Sequence, residues 1–443
     1  MPAIAPFTGS LRVPSDKSIS HRALMFASMA QGCSHLKSVL DSQDVRSTCA
    51  AMQALGARMS IVRGASGLDV VVDGWGGEGP RQPAGPIDCG NSGTTTRLIC
   101  GLLGGYPVEA TLQGDPSLSK RPMGRVIDPL SQMGVRFENA DVRGVSDTPR
   151  TLPLRIVGSA RLAAGSFTLP VASAQVKTAI ILAGLNAPGT TTVIEPARSR
   201  DHTELMLPAF GGAIAVENDP RRLHVTGVQT LRATDLEVPA DPSSAIFAAV
   251  ACAMTPGSEV TLREVSLNPT RIAAFHVMQR MGCDVAIAAS GSIGTEPVGS
   301  IQVRYRAGLR AASVPAAEVP ALIDEIPILA LLATCATGTT VFHEVGELRV
   351  KESDRLDAVL EGLAQLGCKA SASGDDLAIS GALPERAATL DSRGDHRLAM
   401  TWALALRCFG LDGRVDGMDC IAVSYPEFIE QMDMLQSDGK VRF

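Results

Sequence analysis

The residues of this 443-residue chain best suited to chemistry are cations, hydroxyls and carboxylates at the heads of apolar segments. Lys17, Ser18 and Arg22 open "KSISHRALMFASMAQG". Asn91, Ser92, Gly93 and Thr94 open "NSGTTTRLICGLLGG", with Arg97 following, and Ser173, Gln175 and Lys177 open "SAQVKTAIILAGLNAPG". Asp324 and Glu325 open "DEIPILALLATCATG", and His396 and Arg397 head the run after Asp395. Lys120, Arg121, Arg125, Arg200, His202, Lys351, Glu352 and Arg355 stand before or at the start of amphipathic segments. A helix N-terminus has free N–H groups and partial positive charge, so added Lys or Arg does nothing for the helix. The placement makes sense if a phosphate or carboxylate is the partner. Asp324 and Glu352, set among those cations, suit proton transfer. Each piece alone has an ordinary reading: "KESDRLDAV" as a solvated helix start, Asp324 as an N-cap, "GDHRLAM" as a salt-bridged cap. Recurrence at one place in a repeated unit favours the functional one. The loop "GDPSLSKRPMG" contains no Cys, and no Ser-His-Asp order is evident. GxxxxGK[ST] is absent, and the one GxGxxG string, Gly74–Gly79, runs into the Pro-containing stretch "PRQPAGP" rather than a helix, so acid–base chemistry on phosphorylated small molecules outranks covalent catalysis and nucleotide-dependent transfer.

Two kinds of element must position these groups. The first is an Ala/Leu/Ile-rich helix that starts polar and ends near Gly, with copies at Lys17, Asn91, Ser173, Asp241, Asp324 and Asp395. Their spacing is roughly 70–80 residues, the mark of an internal repeat. They are apolar on nearly every face, so each should be buried all round. The second is an amphipathic helix that stops at Gly and runs into an alternating strand: "MQALGARMSIV", "LSQMGVRFE", "LPAFGGAIAVE", "MQRMGCDVAIA" and "LAQLGCKASAS". The Gly fits a left-handed helix cap. No clear sixth copy follows Gly410. The chain therefore reads as six βαβ-type units, three to a domain, in an α/β architecture whose units are roughly twice as long as those of an eight-unit barrel. The break should fall near "LEVPADPSS".

Bulk properties narrow the class. With 45% hydrophobic and 19% charged residues the chain can bury the cores of two domains. A net charge of -6 argues against a nucleic-acid partner. Ten Cys without a CxxC pair read as small hydrophobes in a reducing compartment, and seven His without HxxxH or HExxH spacing give no zinc site. "MPAIAPFTGSLRVP" has no apolar signal core, and no uncharged apolar run reaches the roughly 18–20 residues of a membrane span. The expected location is the cytoplasm.

Seven blocks, in order, resemble the 5-enolpyruvylshikimate-3-phosphate (EPSP) synthase family: "SDKSISHRAL", "GNSGTTTRL", "GDPSLSKRPMGRVIDPL", "ASAQVKTA", "DEIPILA", "RVKESDRL" and "GDHRLAM". The resemblance implies transfer of the enolpyruvyl group of phosphoenolpyruvate to the 5-hydroxyl of shikimate 3-phosphate, with release of phosphate. The route is addition then elimination through a tetrahedral intermediate, with no cofactor and no metal. It implies two inside-out α/β domains of three βαβαββ units each, residues 1–15 with 239–443 and residues 16–238. The active site would lie in the cleft between them, closing over substrate, in a monomeric enzyme. By the same resemblance, Lys17, Ser18, Arg22, Ser173, Ala174, Gln175, Ser199, Asp324 and Lys351 bind shikimate 3-phosphate. Lys17, Gly93, Arg121, Gln175, Arg355 and Arg397 bind phosphoenolpyruvate. Asp324 is the base toward the 5-hydroxyl, Glu352 the acid toward the methylene carbon, and Lys17 assists the departing phosphate. Glyphosate would occupy the phosphoenolpyruvate site, where a methyl at Gly93 would crowd it.

Two positions depart from the family pattern. Val423 stands where many members have a Lys that reaches phosphoenolpyruvate, and Glu347 where others have Asn near the shikimate site. The first reads as a subclass feature. Two other functions compete. A sister enzyme acts on a UDP-sugar but carries a reactive Cys in the loop matched by "GDPSLSKRPMG". A non-catalytic anion-binding or RNA-end-processing protein on related units would not need both Asp324 and Glu352.

Overall fold

Stretches of alternating apolar and polar residues form strands that join into five four-stranded sheets and one two-stranded sheet in the computed structural model, which describes residues 4–139 and 150–436. The chain divides into two compact units, Lys17–Val238 and Met1–Asp16 with Pro239–Phe443, each with its own hydrophobic core. Asp16 belongs to the second of these, where its carboxylate pairs with Arg271.

The Lys17–Val238 unit contains α1 (Lys17–Met29), α2 (Gln43–Ala54), α3 (Gly93–Gly104), α4 (Gly124–Met133), α5 (Ala174–Gly184) and α6 (His202–Met206). The apolar helices α1, α3 and α5 are buried along almost their whole length, and sheets cover them. Gly101 lets α3 approach α5, because a Cβ there would overlap the Ala179 carbonyl. Three sheets share one plan: a short edge strand runs parallel to its neighbour, and two antiparallel strands follow. In one sheet the order is Ile87–Asp88, Glu109–Gln113, Leu154–Val157, Arg136–Asn139. Ala110 and Leu112 oppose Ile156 and Leu154 and are buried, while Glu109 and Gln113 face water. That alternation fixes the register. The sheet of Cys33–Val39 takes its parallel edge strand, Leu236–Glu237, from the far end of the unit.

The other unit contains α7 (Pro242–Met254), α8 (Ala273–Arg280), α9 (Ile326–Ala333), α10 (Arg355–Gln365), α11 (His396–Phe409) and α12 (Phe428–Gln436). Every residue of α7 and of α9 is buried. The N-terminal strand Thr8–Leu11 pairs in parallel with Glu259–Ser266 and completes its sheet, which makes the unit discontinuous in sequence. The last repeat is abbreviated. Ala388–Asp391 pairs with Gly413–Asp416, and a 3-10 turn and α12 follow with no further strand among the described residues. This accounts for the missing sixth amphipathic copy. The five clear copies do end in left-handed glycines, with φ from +77° at Gly211 to +107° at Gly56.

Each buried helix thus has neighbours of its own kind and a sheet outside it, repeated three times per unit with the final repeat shortened. Among the described residues no helix is long and apolar enough to cross a membrane.

Candidate active site

In the Lys17–Val238 unit, the anion-seeking residues sit at the starts of α1, α3 and α5. Ser92 and Ser173 cap α3 and α5, accepting from the N–H of Thr95 and Val176. Lys17 opens α1 and pairs with Asp44 at 2.9 Å. Arg22 is buried and held on two sides, Nε donating to Thr203 Oγ1 at 2.8 Å and Nη2 to Thr178 Oγ1 at 2.9 Å. It also donates to the Ser18 carbonyl at 3.0 Å. Gln175 links two helices: its Oε1 accepts from Arg97 Nη1 at 3.0 Å and its Nε2 donates to Thr94 Oγ1 at 2.9 Å. Arg121 donates to Asn91 Oδ1 at 2.5 Å, while Asn91 Nδ2 donates to Asp115 Oδ2 at 2.7 Å. A Cβ on Gly93 would lie 2.5 Å from Arg97 Nη1 and 3.4 Å from Arg121 Nη1, so Gly93 borders both guanidiniums.

Behind this face lie two buried polar groups. Lys177 pairs with Glu195 at 2.8 Å and Glu204 at 2.6 Å, all three side chains nearly inaccessible. Burial by itself would lower the Lys177 pKa, but the Glu204 and Glu195 charges outweigh it and the net shift is upward. Glu195 also accepts from the backbone N–H of Ser199 at 3.5 Å, fixing the segment that carries Ser199. The second group is a hydroxyl chain: His21 Nδ1 to Thr48 at 2.7 Å, Thr48 to Thr95 at 2.6 Å, and Thr95 to Ser92 at 2.7 Å. Burial, aided by Lys17 and Arg22, pushes the His21 pKa well below its ordinary value.

In the other unit the centre is Arg355, whose side chain is 1% exposed. Its Nε donates to Asp395 Oδ2 at 2.7 Å, Nη1 to Asp324 Oδ1 at 3.1 Å, and Nη2 to Glu352 Oε2 at 2.5 Å and Asp395 Oδ1 at 3.3 Å. Burial opposes this cation, yet Asp395, Glu352 and Asp324 outweigh it and raise its pKa. Lys351 Nζ lies 3.4 Å from Asp324 Oδ1. Arg397 uses only Nη1, donating to the Asp324 carbonyl at 3.1 Å and to Glu325 Oε1 at 3.2 Å, so among the described residues Nε and Nη2 are left for a ligand. Three cations here meet four carboxylates, Asp324, Glu325, Glu352 and Asp395.

Local structure explains the assembly. Asp354 caps α10 and Asp395 caps α11, accepting from Asp357 N and Arg397 N. Arg355 thus begins α10 where it meets the cap of α11. Asp324 lies in the 3-10 turn Ile323–Glu325, one residue before Glu325, the N-cap of α9; its carboxylate meets Arg355 and Lys351. Lys351 and Glu352 precede α10, and the ion pairs of this segment include Glu352 with Arg355 and Arg349 with Asp354.

Of the expected residues, Gly93 stands beside Arg121 and Gln175 binds Arg97 in one unit, and Asp324, Lys351, Glu352, Arg355 and Arg397 form one cluster in the other; Lys17, Arg22 and Ser199 are held by Asp44, Thr178 with Thr203, and Glu195 respectively. Sequence reasoning missed the partners Asp44, Asp115, Thr178 with Thr203, and Glu195 with Glu204; the two glutamates take up Lys177, which is buried and does not face a ligand as its place at a helix start suggested. Asp395 had a signal, since "GDHRLAM" reads as a cap; Asp44 had none. The thiols of Cys49, Cys89 and Cys252 are pushed up to about 12 by burial, so they supply no thiolate nucleophile.

Comparison with known proteins agrees over the whole chain. The profile of the EPSP synthase (3-phosphoshikimate 1-carboxyvinyltransferase) family matches residues 2–432. A 3-phosphoshikimate 1-carboxyvinyltransferase of Methylococcus capsulatus is 43% identical over 433 residues, covering 98% of this chain and 96% of that protein. One from Xanthomonas campestris pv. campestris is 46% identical over 420 residues, covering 95% and 93%. The EPSP synthase structure from Acinetobacter baumannii superposes with a TM-score of 0.81 at 36% identity, covering 98% and 97%. The enolpyruvyl transferase NikO from Streptomyces tendae shares the fold, with a TM-score of 0.75 at 18% identity, covering 98% and 96%. With seven ordered motifs, repeated βαβ units and the Arg355 cluster in place, the chain belongs to the EPSP synthase (3-phosphoshikimate 1-carboxyvinyltransferase) family.

Proposed function

We propose that this chain transfers the enolpyruvyl group of phosphoenolpyruvate to the 5-hydroxyl of shikimate 3-phosphate and releases phosphate, acting as a monomer in the cytoplasm. The observation that carries the reading is Arg355, a buried cation that holds Asp324 and Glu352 through neighbouring nitrogens. Two carboxylates fixed beside one guanidinium can serve as base and acid in a single addition.

In this mechanism Asp324 takes the 5-hydroxyl proton while the oxygen bonds to C2 of phosphoenolpyruvate. Glu352, entering the step as the neutral acid protonated on the oxygen that Arg355 does not hold, gives that proton to C3, and the carboxylate so formed stabilises the oxocarbenium character at C2. The product is a tetrahedral ketal phosphate. Elimination breaks the bond from C2 to the phosphate oxygen and returns a C3 proton to the Glu352 carboxylate, restoring the double bond. Arg397, through its open Nε and Nη2, and Arg121 beside Gly93 bind the charges of phosphoenolpyruvate, for which Arg suits bidentate contact. Arg355 adds one remaining Nη1 proton and otherwise keeps the two carboxylates in place. Ser18, Arg22, Ser173, Ala174, Gln175, Ser199 and Lys351 hold shikimate 3-phosphate, and Lys17 assists the departing phosphate.

The test is a phosphate-release assay on the purified chain. Release should require both substrates, and a UDP-sugar should not replace shikimate 3-phosphate. Release with phosphoenolpyruvate alone, or with the UDP-sugar only, would overturn the assignment.

A further inference from the structure

The chain passes between its two units at two points, Asp16 to Lys17 and Val238 to Pro239. Both crossings are tied in the same place. Asp16 N donates to the Pro239 carbonyl at 2.8 Å, and Asp241 N donates to the Pro14 carbonyl at 2.9 Å. Arg271, whose side chain is 2% exposed, takes one carboxylate from each crossing: Nη1 donates to Asp16 Oδ2, and Nη2 to Asp241 Oδ1 at 2.7 Å. Burial opposes its charge, but Asp16, Asp241 and Glu325 outweigh it, so Arg271 stays cationic.

The network continues toward the site. Arg271 Nη2 also donates to Ser243 Oγ at 2.9 Å. A guanidinium can only donate, so Ser243 must accept there, and its single proton is free for Glu325 Oε1 at 2.5 Å. The same Glu325 oxygen accepts from Arg397 Nη1 at 3.2 Å. The polarity of the chain is therefore fixed from Arg271 through Ser243 to Glu325, with Arg397 donating from the other side. Its ends are next to proposed active-site residues: Asp16 precedes Lys17, and Glu325 follows Asp324. Ser243 and Glu325 are buried, as are Asp16 and Asp241, so water does not substitute for a lost link.

We infer that Arg271, Ser243 and Glu325 form a positioning relay that sets the Arg397 guanidinium for phosphoenolpyruvate from the paired chain crossings. None of the three touches substrate in this scheme; they act through Arg397. The inference rests on the enolpyruvyl-transfer reading above, in which Arg397 binds phosphoenolpyruvate.

The experiment measures kcat, both KM values and the urea midpoint for wild type, Ser243→Ala, Glu325→Gln, the Ser243→Ala/Glu325→Gln double variant and Arg271→Lys. Loss of one hydrogen bond to a charged group should raise KM for phosphoenolpyruvate about tenfold in Ser243→Ala, with KM for shikimate 3-phosphate changed less than about twofold. Glu325→Gln should act in the same direction, and the double variant should be no worse than the poorer single one, because one path is broken twice. Arg271→Lys, which keeps the charge but replaces the planar fork with a single point donor, should fall between wild type and Ser243→Ala. An unchanged KM for phosphoenolpyruvate in Ser243→Ala overturns the relay. So does a parallel rise in both KM values with a lowered urea midpoint, the mark of a purely structural role. If wild type releases no phosphate from the two substrates, the functional reading fails instead.

Discussion

At the residue scale, the Arg355 cluster makes the roles of its two carboxylates separable. Asp324→Asn and Glu352→Gln keep size and hydrogen-bonding capacity while removing proton transfer. Each should lower kcat by about 10²–10⁴-fold with substrate binding retained, measured by steady-state kinetics and isothermal titration. Near-normal turnover in either would remove its assigned role. Gly93 gives a second prediction. The methyl of Gly93→Ala would displace the Arg97 guanidinium and intrude beside Arg121. Glyphosate inhibition should weaken about tenfold, ~1.4 kcal/mol, and equal inhibition constants for the two forms would show that the methyl does not reach the inhibitor. His21 gives a third, in stability. Its pKa is depressed in the folded chain, so below its ordinary value of 6.5 the unfolded state binds a proton that the folded state refuses. Stability from this group is complete above pH 6.5 and falls by up to about 1.4 kcal/mol per pH unit on acidification, until the folded pKa is reached. His21→Gln should flatten that slope in urea titrations between pH 6.5 and 5, and identical slopes would contradict the assignment.

At the scale of elements, helix starts do the positioning. The N-termini of α1, α3 and α5 present Lys17, Gly93 and Gln175, and those of α10 and α11 present Arg355 and Arg397. The buried faces of these helices can hold the termini rigidly, because close packing leaves little room to shift. Lys177 is the clearest structural tie: one buried cation joins α5 to Glu195 and to Glu204 of α6. Lys177→Met would leave two glutamates buried without their cation. It should cost about 3–5 kcal/mol in chemical denaturation. In the folded fraction, KM for shikimate 3-phosphate should rise more than KM for phosphoenolpyruvate, since the Ser199 segment loses its anchor. A loss below 1 kcal/mol would mean that one glutamate is already neutral and the tie is weak.

At the scale of the molecule, the sheets dictate which stretches can fold alone. The Lys17–Val238 unit contains the edge strand Leu236–Glu237 that completes its sheet, whereas Pro239–Phe443 needs Thr8–Leu11 from the far end of the chain. A fragment of residues 17–238 should unfold cooperatively, and one of residues 239–443 should not unless residues 1–16 are supplied; the exposed edge of Glu259–Ser266 invites association. Circular dichroism melts of the two fragments would decide this. The same division separates what the chain announces from what it conceals. Six apolar helices, the glycines that stop five amphipathic ones and the cations at helix starts were legible in the sequence, because helix periodicity and capping are local and repeat with the unit. The abbreviated final repeat was visible only as a missing copy. Tertiary structure alone decided which strand closes which sheet, since a four-residue strand carries no sign of a partner 251 residues away. It also decided which carboxylate meets which cation. Residue types proposed Asp324, Glu352 and Arg355, but their junction with Asp395 depends on where the starts of α10 and α11 converge, and charge pairing at 3 Å is set by packing that no local pattern encodes.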